Sequence, residues 1–219
     1  MLDFQAAGLG AVPCRSDKGV VTPTGFYHQK VRYLVDRGFS GLLFLLLGPI
    51  AVGLILLNPF FNRGPLFFVQ TRMGRNCQPF QAIKFRTMTA HAAVCRGPFD
   101  AVEQHRITTL GRILRKFRID ELPQIINVMR GEMSLIGPRP DLYDHARAYL
   151  EVIPHYRQRH NILPGISGLA QVTVGYVDGL EGLRDKVAAD LAYIRHANAR
   201  LDLWIVSETL RVIIGRKGV

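Results

Sequence analysis

Two adjacent carboxylates, Asp120 and Glu121, stand directly behind the cations Arg115, Lys116 and Arg118. A further arginine, Arg139, is locked between Pro138 and Pro140 a short way downstream. Carboxylates bind hard cations such as Mg²⁺, or attack phosphorus and split a transfer into two steps. Arginine forks match phosphate oxygens bidentately, and lysine offers a point charge. Both kinds of group in one short span point to phosphoryl chemistry on an anionic substrate. On a helix, neighbouring residues diverge, which suits a division of labour: one carboxylate attacks and the other holds metal. A structural reading stands beside this one. Asp120 can cap a helix, with Glu121 complementing its dipole and Pro123 in its first turn. The two are compatible, because a helix N-terminus also favours phosphate.

These residues need elements to hold them. Leu66–Val69 and Phe80–Ile83 flank Gly74-Arg75-Asn76, the pattern of a β-hairpin. Leu110–Phe117 is short, basic and amphipathic, suited to lying on lipid with its arginines snorkelling. Helix is expected over Leu122–Met129, and over Leu142–His160 with a disturbance at Pro154. A strand-like stretch is expected at Leu169–Val174, and closing helices at about Leu180–Ala197 and Leu201–Ile214. Trp204 is assigned to the core, since apolar stripes at helical spacing usually face it, with the membrane interface as the alternative. Thr89–Glu103 reads as a loop, and residues 1–29 as a flexible extension.

One segment belongs in a membrane. Phe39–Phe61 is 23 residues without a charge, about 34 Å as helix, enough to span a bilayer. A basic stretch, Gln29–Asp36, forms a short approach helix. Gly48-Pro49 falls at the centre of the apolar run, where proline kinks a helix. Both flanks are basic, with Lys30, Arg32 and Arg37 before and Arg63, Arg72 and Arg75 after. Two positive flanks favour a re-entrant hairpin, entering and leaving on the cytoplasmic side, over a single crossing. A Pro-kinked transmembrane helix is the alternative.

The formal net charge is +11, and Asn62–Ile119 alone carries eleven Lys/Arg against two acids. Such a patch suits nucleic acid, anionic lipid or a diphosphate. It directly follows the membrane segment, and there is no nucleic-acid-binding motif, so lipid and substrate take precedence and no nucleic-acid partner is expected. The three cysteines, Cys14, Cys77 and Cys95, have no metal-ligand spacing and read as free thiols of a reducing compartment. The first residues lack a basic stretch and apolar core, so they are not read as a standard signal peptide. The histidines form no metal constellation; His160 is read as a surface or hydrogen-bonding residue.

DELPQ at 120–124, followed by NVMRGEMSLIGPRP at 127–140, resembles the bacterial sugar transferase family, the monotopic phosphoglycosyl transferases that begin surface-glycan assembly. The resemblance continues through FFVQTRMG at 67–74, KFRTM at 84–88, RITTLGRILR at 106–115 and RHNILPGISGLAQV at 159–172. Asp190-Leu-Ala-Tyr193-Ile and Asp202-Leu complete it, from about Lys30 to the C-terminus. It implies an α+β, mainly helical monotopic membrane protein with a re-entrant helix-break-helix, amphipathic surface helices and a small β-hairpin. The expected organisation is an extension over 1–29 and a sugar transferase domain over 30–219 that includes the membrane segment 39–61. The break would lie at Gly48-Pro49, although relatives often have Ser in place of Gly48.

The implied reaction transfers a sugar 1-phosphate from a UDP-sugar to undecaprenyl phosphate at the cytoplasmic face of the inner membrane, releasing UMP. Asp120 would be the nucleophile, and Glu121, with Asp120, would hold Mg²⁺. Lys84, Arg115 and Arg139 fall on positions expected to contact diphosphate or product. Placing Arg86, Arg118 and Arg159 near phosphate is a physical inference from charge. Direct transfer with Asp120 as base, and a membrane-docked scaffold without turnover, are the alternatives. Thr173–Gly179 and His196–Asn198 depart from the family pattern, so the sugar is left open, as is homodimerisation. The chain is expected to be a compact member, without the long multi-span region of larger relatives.

Overall fold

The computed structural model describes residues 26–89, 97, 100, 103–175 and 179–215. Helices dominate, with two small sheets between them. Most of the N-terminal extension and of the Thr89–Glu103 loop lies outside the described residues.

The first element, α1, runs from Phe26 to Phe61 as one helix and carries Pro49 and Pro59 inside it. The approach segment and the apolar run are therefore one continuous element, about 54 Å long at helical rise. Its helical assignment passes through Gly48-Pro49 without interruption. Val31–Phe61 has a mean hydropathy of 2.5, yet only 17% of its most apolar window is buried. That combination excludes an ordinary core helix, which would be mostly covered.

The covered part of α1 is a narrow stripe. Asp36, Ser40, Leu47 and Leu54 are buried, with Leu43, Ile50 and Ala51 packed beside them. Steps of three, four and seven residues place all of these on one helical face. This face packs on Phe85, Leu114 and Ile125. The other faces expose Leu34, Phe39, Leu42, Leu45, Leu56 and Phe60.

After α1 the chain makes the hairpin β1 (Phe67–Met73) and β2 (Pro79–Phe85), antiparallel with Phe68 opposite Lys84. A 3-10 turn at Arg75–Cys77 closes it, with Asn76 and Cys77 at positive φ. Helix α2 (Thr109–Lys116) begins where the Thr108 side chain accepts from the Gly111 amide, a normal N-cap. A 3-10 turn at Ile119–Glu121 leads into α3 (Gln124–Met129), which starts two residues later than expected, with Pro123 at its N-cap position.

The second sheet was not legible in the sequence. Its strands β3 (Ser134–Ile136) and β4 (Gly165–Ser167) are parallel, Ser134 opposite Gly165. Between them lie α4 (Tyr143–Val152) and a 3-10 segment, Tyr156–Asn161, so the long helix expected over Leu142–His160 is divided near Pro154. The strand expected at Leu169–Val174 is instead helix α5 (Leu169–Thr173). Extended pairing already ends at Ser167. Gly168 abuts the Gly137 carbonyl, where a Cβ would lie 2.2 Å from that oxygen, so the chain turns there and packs its apolar residues on the next helix.

Helices α6 (Gly179–His196) and α7 (Ala199–Ile214) close the described fold. Asn198, within one of the departures from the family pattern, caps α7 by accepting from the Leu201 amide at 2.9 Å. The main core gathers Met73, Tyr143, Ala146, Tyr156, Val187, Ile194 and Ile205. Trp204 is not in it: 42% of its surface is exposed, and its neighbour Ile205 points inward.

Candidate active site at the Asp120-Glu121 pair

Arg118 takes a left-handed conformation, φ 54, at the end of α2. This reverses the chain and turns the next residues into the protein. Asp120 and Glu121 are consequently both buried. Neither caps a helix: the N-cap position of α3 is Pro123, without a side-chain cap bond. The capping reading of Asp120 is therefore set aside. Two carboxylates buried without a capping task need cations or a ligand to offset their desolvation.

Glu121 takes the cations. Lys84 Nζ donates to Glu121 Oε1 at 2.6 Å. Arg139 donates through Nη1 to Oε2 at 3.0 Å and through Nη2 to Oε1, a bidentate fork. Arg118 Nη1 stands 3.5 Å from Oε2. Burial raises the Glu121 pKa, but Arg139 and Lys84 outweigh it and hold the carboxyl well below its ordinary value. Asp120 has the opposite balance. Burial and then the Glu121 charge push it above its ordinary value, against Lys84, Arg139 and Arg115. One carboxylate is thus locked ionised among cations, and its neighbour is the more basic and less engaged of the two.

Lys84 is brought down to about 8, chiefly by burial, with Arg139 and Arg72 adding to the effect and Glu121 opposing it. Its position on β2 is fixed by Asn127, which the sequence reading did not single out. Asn127 is fully buried in α3. Its Oδ1 accepts from the Ile83 amide at 3.1 Å, and its Nδ2 donates to the Gln81 carbonyl at 2.7 Å and to Glu132 Oε2 at 2.7 Å. An amide side chain thereby imitates a strand partner and sets Lys84 against the carboxylate turn. The available signal was a polar residue on a face where helical period calls for an apolar one.

Four of the six proposed phosphate cations come together. Lys84, Arg118 and Arg139 contact Glu121. Arg115 acts electrostatically on Asp120 and is oriented by Thr87, to whose Oγ1 its Nε donates at 2.9 Å. The other two are spent elsewhere. Arg86 donates to the Pro65 carbonyl at 2.8 Å and to that of Asn62, closing the end of α1. Arg159 is fully buried between Asp141 and Asp190, 2.6 Å from an oxygen of the latter. The phosphate reading of Arg86 and Arg159 gives way to these structural partners. His160 donates through Nδ1 to the Gly74 carbonyl at 3.1 Å, and burial lowers its pKa to about 3. It is a neutral hydrogen-bonding histidine.

Metal coordination by protein alone is not available here: among the described residues no three His, Cys, Asp or Glu side chains converge. The Asp120-Glu121 pair suits Mg²⁺ in donor type, although Lys84, Arg139 and Arg118 occupy both Glu121 oxygens and would have to give way to the ion. That ion is usually held by one or two carboxylates, with water and substrate phosphate completing its shell.

A buried carboxylate pair framed by cations thus lies in the same fold as a long apolar helix whose outer faces are open. Residues 27–216 match the bacterial sugar transferase family, and the chain belongs to it. It is 42% identical over 184 residues to UDP-glucose:undecaprenyl-phosphate glucose-1-phosphate transferase of Caulobacter vibrioides, covering 81% of this chain and 67% of that protein. It is 38% identical over 169 residues to UDP-N-acetylgalactosamine-undecaprenyl-phosphate N-acetylgalactosaminephosphotransferase of Aeromonas hydrophila, covering 77% of this chain and 40% of that one. An exopolysaccharide production protein of Rhizobium leguminosarum bv. phaseoli is 37% identical over 179 residues, 78% of this chain and 90% of its own. The chain spans less than half the length of several curated relatives it matches, the Aeromonas protein among them.

Proposed function

We propose that this protein is a phosphoglycosyl transferase that moves a sugar 1-phosphate from a UDP-sugar to undecaprenyl phosphate, at the start of a surface glycan. The observation that carries the proposal is the unequal pair: Glu121 held by Lys84 and Arg139, and Asp120 buried beside it with a raised pKa. Relatives named for transfer to undecaprenyl phosphate from UDP-glucose and from UDP-N-acetylgalactosamine support the substrate classes.

In the reading we favour, an Asp120 carboxylate oxygen attacks the sugar-bearing phosphorus of the UDP-sugar. The bond from that phosphorus to the bridging oxygen breaks, and UMP leaves with its electron pair. A phosphate oxygen of undecaprenyl phosphate then attacks the same phosphorus. The bond to Asp120 breaks, which regenerates the carboxylate and yields the lipid diphosphosugar. Arg139, Arg118 and Lys84, gathered at Glu121, would offset charge on the phosphate oxygens. Glu121, with Asp120, would hold Mg²⁺, which when bound neutralises diphosphate charge.

A donor in water and an acceptor in lipid require a site at the bilayer surface. The exposed apolar faces of α1 support placing it there. We assign α1 as a re-entrant element that bends at Pro49 while remaining helical, entering from the cytoplasmic face of the inner membrane, on the proline within it and the basic residues at both its ends.

The test is UMP release in nanodiscs containing undecaprenyl phosphate, with Mg²⁺ and a panel of UDP-sugars. We expect turnover that needs both metal and acceptor, and a phosphosugar trapped on Asp120 when acceptor is withheld. Asp120→Asn abolishes both. Turnover that persists in Asp120→Asn refutes the covalent role, and failure with every donor refutes the function.

A further inference from the structure

Arg139 reaches Glu121 from a short segment that is held unusually firmly. Pro138 and Pro140 restrict φ on either side of it. Arg159 Nη2 donates to the Arg139 carbonyl at 2.8 Å. Arg72 Nη1 donates to the next carbonyl, Pro140, at 2.5 Å. The Met73 amide donates to the Asp141 carbonyl at 3.0 Å. Three consecutive carbonyls therefore each meet a donor. The Asp141 side chain adds an anchor, accepting from Arg159, from Tyr156 Oη at 2.8 Å and from Lys186 Nζ at 2.5 Å. Asp190 pairs with the other side of Arg159.

We propose that Arg159 and Arg72 are positioning residues for Arg139, gripping successive backbone carbonyls so that its guanidinium is already aimed at Glu121 and the incoming phosphates. Arg159 itself stays out of the site. Its side chain is 1% exposed, and both nitrogens at its tip are engaged. A lysine has one nitrogen, so it can keep a carboxylate or the carbonyl but cannot bridge both with the fork geometry of arginine. Such an indirect role follows from distance sensitivity: a displacement of about 1 Å in a substrate-orienting group can cost about 100-fold in rate.

The inference rests on the proposed transferase activity, and the experiment separates the two. UMP release is measured for Arg159→Lys, Arg72→Lys and Arg139→Ala, and for each lysine variant combined with Arg139→Ala. Melting temperature is measured in parallel. Arg159→Lys and Arg72→Lys should each lower kcat by about 10- to 100-fold in the parent protein. In the Arg139→Ala background each should cost less than about twofold more, since residues acting through one group are not additive. Any fall in melting temperature should be the same in both backgrounds. Additive losses in kcat would overturn the positioning role, as would an effect confined to KM that survives in Arg139→Ala. If Arg159→Lys does not fold, Arg72→Lys decides the question, because Arg72 is only partly buried. Absence of turnover in the parent protein refutes the transferase reading and this inference with it.

Discussion

Lys84 should make activity and stability respond to alkali in opposite directions. Its Nζ lies 2.6 Å from Glu121 Oε1 and its side chain is 14% exposed. Burial, with Arg139 and Arg72, brings its pKa from 10.5 to about 8. If the ammonium is needed to meet phosphate, kcat/KM, which reports the free enzyme, falls above pH 8. At pH 9 only about one lysine in ten remains charged, so the loss approaches tenfold per pH unit. Stability runs the other way. Between pH 8 and 10.5 the unfolded chain binds more protons at this residue than the folded one, so folding becomes more favourable as pH rises. The displacement amounts to about 3 kcal/mol across the window, and its cost is fully present below pH 8. The assay is UMP release from pH 6 to 10, paired with melting at the same pH values. Lys84→Arg provides the control, since arginine stays charged throughout. It should retain a flat alkaline plateau in rate and lose the alkaline gain in stability. An alkaline limb that persists unchanged in Lys84→Arg would refute the assignment, and so would a wild-type rate that stays level to pH 10.

Removing charge at Glu121 acts on the same lysine. Glu121→Gln takes away the contact that raises the Lys84 pKa, so any residual activity should show its alkaline limb below pH 8; a limb at higher pH counts against the coupling. The variant also leaves buried cations unpaired and should lose about 3 to 5 kcal/mol by denaturant unfolding. Asn127→Ala removes the bonds to Gln81, Ile83 and Glu132 and should cost about 3 kcal/mol, as buried backbone groups lose their partners. A loss under about 1 kcal/mol would mean that β2 holds its register without it. Leu45→Lys, on the open face of α1, should reduce recovery with lipid vesicles while leaving the melting temperature in detergent unchanged. Equal recovery would argue that this face does not meet lipid.

What the sequence disclosed depended on how local the signal was. The hairpin, the amphipathic α2 and the pair of closing helices follow from short-range patterns, whereas the Thr108 cap of α2 was not singled out. Asp120 and Glu121 were identifiable as chemistry, but their removal from a capping role was not. That depends on Arg118 adopting positive φ, which an arginine does not advertise. Arg86 and Arg159 illustrate a second limit. Charge type suggested phosphate, whereas Arg159 is claimed by Asp141 and Asp190, distant in sequence and on separate elements. Nothing periodic marks such a pairing. Trp204 shows a third: α7 carries apolar residues around much of its circumference, and burial of Ile205 left the indole outside. The parallel pairing of β3 with β4 escaped notice because each strand has only three residues. Its clearest trace is glycine: a Cβ on Gly165 would stand 2.1 Å from the Gly137 amide nitrogen.

The polar residues of α1 bear on how such a helix can serve the site. Arg32 donates through Nε and Nη2 to Ser134 Oγ at 3.1 and 3.0 Å. Ser134 in turn donates to Asp36 Oδ2 at 2.7 Å, and the Leu135 amide donates to Asp36 Oδ1 at 3.2 Å. At the far end, Asn62 Nδ2 donates to the Arg86 carbonyl at 2.6 Å, one residue beyond β2. The helix is thus fastened to β3, which leads to Arg139, and to the end of β2, which carries Lys84. A purely apolar anchor would slide, since dispersion and hydrophobic contact have little directional preference. Hydrogen bonds fix register, because their geometry fails beyond a few tenths of an ångström. With both ends pinned, the open apolar faces of α1 and the cations around Glu121 keep a constant separation. In the proposed reaction, a lipid-borne phosphate would then meet the carboxylates at a depth set by the helix itself.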